Sequence, residues 1–126
     1  MAMIDGYRKG WALRYLREAK AELMAAHKMP YMAPSLVLEA MRKAQVAIYY
    51  TLGEPAFVET VVIQNAGKKQ TITDPILRCL VEIERTIREF SQTEEVQIDK
   101  ALQHGGDVVQ TASEIVELWT GKRSEG

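Results

Sequence analysis

Ile98-Asp99-Lys100-Ala101-Leu102-Gln103-His104-Gly105-Gly106-Asp107-Val108-Val109-Gln110-Thr111-Ala112-Ser113-Glu114-Ile115-Val116-Glu117-Leu118-Trp119 carries two adjacent glycines in its middle, and whether they interrupt a helix sets how many helices the chain has. His104-Gly105-Gly106-Asp107 has the look of a break, with Asp107 and Gln110 as a capping box for a new helix. Against that, Ile98, Ala101, Gly105, Val108, Ala112, Ile115 and Trp119 alternate by three and four straight through the glycines, which is the spacing of one apolar face on one helix. The unbroken phase argues for a single helix of about residues 94–120, with room for a kink. Gly105 then lies on the buried face, where another element can come close. Each glycine costs such a helix about 1 kcal/mol relative to alanine, so the broken helix stands as the competing reading.

The same alternation recurs upstream. Ala12, Leu16, Ala19, Leu23 and Ala26 form a seam within a helix of about residues 5–28, ended by Met29-Pro30. Val37, Met41, Ala44, Ile48 and Thr51 form a second, started by Pro34 or Ser35 and stopped by Gly53, expected in a left-handed conformation, with Pro55 beyond. Ile76, Leu80, Ile83, Ile87 and Phe90 form a third, with cap oxygens at Thr73 and Asp74 and Pro75 in the first turn. Ser91-Gln92 then interrupts, Thr93 can cap the last helix, and Glu94, Glu95 and Asp99 suit its positive end.

Between the second and third seams the residues differ in kind. Thr60-Val61-Val62-Ile63-Gln64 and Lys69-Gln70-Thr71-Ile72-Thr73 are β-branched runs flanking Asn65-Ala66-Gly67-Lys68, which predicts a β-hairpin at about 57–73. The competing reading is a short helix from Pro55 to Asn65 closed by Gly67, with Phe57, Val58, Val61 and Val62 on one face. A lone hairpin is marginal in water, so it would have to lie on the bundle or on another subunit. The expected fold is therefore mainly α, an antiparallel four-helix bundle in a single domain, residues 1–126, with the hairpin insert and a frayed tail at about 121–126.

Composition narrows the function classes. The 126 residues carry 16 Lys+Arg against 17 Asp+Glu, a net charge of -1. Residues 1–63 hold eight bases and six acids (+2), residues 64–126 eight bases and eleven acids (-3). Neither half has the basic surplus of a protein that grips nucleic acid mainly through phosphates. No wholly apolar run is longer than the five residues Val46-Ala47-Ile48-Tyr49-Tyr50, and Val61-Val62-Ile63 has three, all far short of a membrane span. The first residues lack the pattern of a secretory signal. Cys79 is alone and has no intramolecular disulfide partner; a cytoplasmic location is the expectation.

Templates for chemistry find few footholds. Neither His27 nor His104 has a Glu three residues before it, as a carboxylate-bridged two-metal bundle needs. One Cys and two His cannot supply a four-ligand zinc site. Glu114 and Glu117 form one Glu-x-x-Glu pair, but all-α nucleotide pyrophosphatases need a second acidic pair that is missing here. No metal and no cofactor is expected. Cys79, beside Arg78 on a helix, reads as an ordinary thiol, and His27 as a helix-end residue. His104, beside two glycines, is the weak catalytic candidate. The best binding candidates are Arg8, Trp11, Arg14, Tyr15 and Arg17 on the first helix, because arginines interleaved with aromatic faces can stack on bases or on a partner protein.

Ala25-Ala26-His27 at the end of the first helix and Glu39-Ala40-Met41-Arg42-Lys43-Ala44-Gln45-Val46-Ala47-Ile48 running to Leu52-Gly53 resemble the first helical pair of HEPN-type bundles, and Ala112-Ser113-Glu114-Ile115-Val116-Glu117-Leu118-Trp119 resembles their last helix. The resemblance implies dimerisation, and either ribonuclease activity or partnership with a small nucleotidyltransferase. The nucleolytic members carry Arg followed four to six residues later by His. Here the last Arg before His104 is Arg88, and the last before His27 is Arg17, so that activity does not carry over. The expected function is a non-catalytic association protein, homo-oligomeric, pairing with a nucleotide- or RNA-handling protein and with no membrane role. The alternative is an RNA- or nucleotide-acting enzyme using His104 with the first-helix arginines.

Overall fold

Asp5 starts the first helix by accepting the Arg8 backbone N–H at 2.8 Å and the Arg8 Nε at 3.0 Å. That backbone hydrogen bond, reinforced by the guanidinium, holds its carboxyl below the usual range. The computed structural model describes residues 5–121, and among them every regular element is a helix. α1 spans Gly6–Lys28, a 3-10 turn Pro30–Met32, α2 Ala33–Leu52, α3 Pro55–Ala66, α4 Pro75–Gln92 and α5 Ile98–Thr120. The frayed tail expected at the C-terminus falls, beyond Gly121, outside the described residues. Gly121 itself takes the left-handed conformation (φ 71°) that ends α5, its N–H donating to the Glu117 carbonyl.

α2 is the axis of the molecule. Val37, Met41, Ala44, Ile48 and Thr51 are all buried, as their spacing predicts, and so are Ala40, Gln45, Ala47 and Tyr49. α1 and α5 pack extensively on α2, while α3 and α4 cover its other side more lightly. From α1 the seam residues Ala12, Leu16, Ala19 and Ala26 are buried. α5 runs unbroken through both glycines, with Ala101, Gly105, Val108, Ala112 and Val116 inward. A Cβ on Gly105 would sit 2.9 Å from Val37 Cγ1 and 3.1 Å from Leu23 Cδ1, whereas one on Gly106 meets nothing within 4 Å. Gly105 is thus the point at which α5 fits closely against α1 and α2, and the loss of helix propensity there is offset by packing.

The hairpin expected at 57–73 is not formed, and the described residues form five α-helices in place of the expected four. Residues 55–66 take the competing helical reading, ended at Gly67. Pro55 occupies the first turn, Val62 is driven fully into the core, and the polar side chains turn back on the helix: Thr60 Oγ1 donates to the Ala56 carbonyl and Asn65 Nδ2 to the Val61 carbonyl. Modest β propensity loses to these tertiary and local terms. Residues 68–74 remain irregular and deliver Asp74, which caps α4 by accepting the N–H groups of Ile76 and Leu77.

Three boundary expectations are also corrected. Gly53 is extended (φ 175°), not left-handed, because α3 turns away immediately. Thr93 ends α4 instead of starting α5: its Oγ1 donates to the Glu89 carbonyl and its N–H to that of Phe90. Glu94 and Glu95 therefore lie in the connection, and of the three acids only Asp99 is in the first turn of α5.

One ion network joins α1 to α2. Lys43 Nζ donates to Glu22 Oε1 at 2.6 Å and to Glu18 Oε1 at 3.3 Å. The hydrogen bond to Glu22 is the main cause of a raised Lys43 pKa, and the one from Lys43 the main cause of a lowered Glu18 pKa. A carboxylate whose folded pKa is lowered contributes stability above its unfolded value, lost as pH falls through the folded one; a lysine with a raised pKa contributes below its unfolded value, lost as pH climbs through the folded one. The stability difference between the wild type and Lys43→Met should therefore be largest at neutral pH, shrink below the ordinary value of 4.5 for Glu18 and shrink again above 10.5 for Lys43. Urea unfolding across a pH series reads it; a difference that stays flat into acid contradicts it.

Candidate interaction surfaces

The first-helix candidates sort into two groups. Trp11 and Tyr15, one turn apart on α1, stack with Tyr50 of α2 at centroid distances of 6.2 and 5.8 Å and interplanar angles of 21° and 17°. Tyr7 meets Trp11 edge-on at 6.3 Å, a favoured aromatic geometry. Arg14 Cζ lies 5.1 Å from the Trp11 ring centroid, within cation–π reach. The rings therefore weld the N-terminal part of α1 to the C-terminal part of α2. Burial, helped by the neighbouring phenols of Tyr15 and Tyr7, raises the Tyr50 pKa. Two of the arginines already have carboxylate partners: Arg8 with Asp5 at 3.0 Å and Arg14 with Glu18 at 3.2 Å. Arg17 is exposed. A phosphate would have to displace these carboxylates from Arg8 and Arg14. Tyr7 and Tyr50 belong to this aromatic ridge and escaped the sequence reading. Tyr7 lies four residues before Trp11 and was within reach of the same spacing rule; Tyr50 is joined only by folding.

His104 is exposed on α5 and borders a hollow of about 340 Å³ between the end of α4 and the start of α5, lined by Thr86, Glu89, Phe90, Glu95 and Lys100 among others. No residue of α1 lines it. The structure does not bring His104 and the first-helix arginines together in one cavity. Among the described residues no group of three His, Cys, Asp or Glu is placed to share a metal ion. Burial, and secondarily the charge of Glu82, pushes the half-buried Cys79 thiol up, away from the thiolate that nucleophilic chemistry requires. His27 is exposed in the last turn of α1.

A third surface was invisible in the sequence. An apolar groove of about 350 Å³ lies between α3, α4 and the end of α5, lined by Phe57, Val58, Val61, Ile76, Leu77 and Trp119 among others. Ile76 and Trp119 both belong to helical seams, yet they remain 41% and 36% exposed, and Phe57 is 70% exposed. Of the twelve residues of α3 only Val62 is buried. No single helix among those described is long and apolar enough to cross a membrane. The chain matches no family model, no curated protein and no solved structure.

Proposed function

We propose that this chain is a non-catalytic helical association protein that pairs with a second copy through the face built from α3, α4 and the end of α5. The observation that carries the reading is the convergence of Phe57, Ile76 and Trp119 on one groove. Seam positions exist to be covered, and here two of them, from different helices, stand open beside Phe57, the one aromatic ring of α3. Covering a side chain such as Phe is worth roughly 1.5–3 kcal/mol, and apolar surface concentrated in one patch marks a contact site. The resemblance to HEPN-type bundles adds a nucleotide- or RNA-handling protein as the class of heterologous partner, with the aromatic ridge of Tyr7, Trp11 and Arg14 available to it.

Sedimentation velocity over a wide concentration range tests the reading. The wild type should self-associate, and Phe57→Asp, at an exposed position whose loss leaves the core intact, should be monomeric with an unchanged far-ultraviolet spectrum. A wild type that stays monomeric throughout overturns it.

A further inference from the structure

The hollow between the end of α4 and the start of α5 gathers opposite charges that do not pair with one another. Lys100 and His104, one turn apart on α5, border it; so do Glu89 from α4 and Glu95 from the connection between the two helices. These residues are exposed, and among the described residues none of them takes part in an ion pair. The hollow thus keeps its ammonium and its carboxylates beyond each other's reach. Phe90 and Val96, half-buried against the core, supply apolar lining. The volume of about 340 Å³ falls in the range of small-molecule sites, about 300–1,000 Å³.

Which ligand such a hollow suits follows from its charges. An anion that sought Lys100 would meet the carboxylates of Glu89 and Glu95 as like charges, and a cation that sought those carboxylates would meet Lys100. An uncharged apolar molecule would take water from all three and return nothing. A molecule carrying both signs satisfies both sets. We propose that the hollow binds a small zwitterion of the amino-acid type, its carboxylate held by Lys100 and His104, its ammonium by Glu89 and Glu95, and its hydrocarbon part laid on Phe90 and Val96. Lys100 lies in the first turn of α5, so the positive end of that helix favours the carboxylate on the same side. The neutral imidazole of His104 still offers one N–H to an oxygen. This site shares no lining residue with the apolar groove of α3, α4 and α5, and it stands whether or not the chain self-associates.

Amide chemical-shift mapping by nuclear magnetic resonance tests the assignment with L-leucine and 6-aminohexanoate as zwitterions, and with hexanoate and hexylamine as controls that each carry one sign. At least one zwitterion should shift the amides around Glu89, Glu95, Lys100 and His104 saturably, and both controls should bind about tenfold more weakly or not at all. Lys100→Met and Glu89→Gln change only exposed groups, and each should weaken the zwitterion about tenfold, while Arg17→Gln, at an exposed position of α1, leaves it unchanged. Circular dichroism confirms the fold of each variant. The proposal is overturned if neither zwitterion shifts these amides, if hexanoate or hexylamine binds as tightly as the zwitterion, or if either Lys100→Met or Glu89→Gln retains wild-type affinity.

Discussion

Gly105→Leu should destabilise the protein by about 3 kcal/mol, at or beyond the upper end of the usual range for overpacking, while the adjacent Gly106→Ala should raise its stability. A single Cβ at position 105 already falls 2.9 Å from Val37 Cγ1 and 3.1 Å from Leu23 Cδ1. Val37 is fully buried and β-branched, with one favoured rotamer in a helix. It cannot swing aside, so the remaining leucine carbons must push α5 off α1 and α2. Overpacking of a close-packed interior costs about 1–3 kcal/mol and sometimes more, and here the displaced contact joins three helices. Position 106 has nothing within 4 Å of an added Cβ, and removing an interior helical glycine there gains up to about 1 kcal/mol. Chemical denaturation of the two variants separates packing from propensity at neighbouring positions of one helix. Equal effects of the same sign would show that α5 does not seat at Gly105.

Met41→Ala is expected to cost about 2–5 kcal/mol, the range for deleting a large buried apolar side chain. Met41 is fully buried in α2, the helix on which all the others pack. A domain of this size has a total stability of about 5–15 kcal/mol, so the loss should lower the urea midpoint severely with little change in slope. Met24→Ala offers the control, since Met24 is 49% exposed on α1 and surface changes of this type stay within about 0.5 kcal/mol. A Met41→Ala variant as stable as the control would mean that α2 is not the centre of the core.

The parts of this fold that could be read ahead of the structure are those in which many residues vote together. The continuity of α5 emerged because seven positions from Ile98 to Trp119 kept phase across the glycines, and no local rule about glycine could outweigh them. The α3 segment was misread for the opposite reason. Val61-Val62-Ile63 is a short apolar run, and such runs look alike in a strand and in a buried helix; Pro55 and Gly67, the boundary signals that decided it, lay outside the run itself. Thr93 was assigned to the wrong helix because a threonine oxygen serves either end of an interruption, and only the position of Glu89 and Phe90 settles which.

The candidate surfaces follow the same division. Trp11 and Tyr15 share a helix and a spacing, so their adjacency was legible. Tyr50 completes their stack from a helix that runs beside them only after folding. The groove is a harder case still: Phe57, Ile76 and Trp119 belong to three helices, and two of them sit at positions whose spacing says "core". Periodicity reports which face of a helix is apolar, and is silent on whether the neighbour that covers it is supplied by the same chain.

Polar groups at the junction of α2 with α4 add a constraint of another kind. Gln45 Nε2 donates to Glu84 Oε1 at 2.7 Å, and Arg88 Nε pairs with Glu84 Oε2 at 2.6 Å. Beside them the Tyr49 hydroxyl is buried with no hydrogen-bond partner, and burial together with the charges of Glu84 and Glu59 pushes its pKa upward. An apolar strip such as Leu80, Ile83 and Ile87 could slide along α2 by a turn and still find apolar neighbours. Glu84 cannot, since one turn of slippage in either direction separates its carboxylate from Gln45 and strands both in the interior. This junction thus selects one alignment of α4 among several that greasy contacts alone would tolerate, and by fixing α4 it also fixes where α3, tied to it through Arg85, presents Phe57.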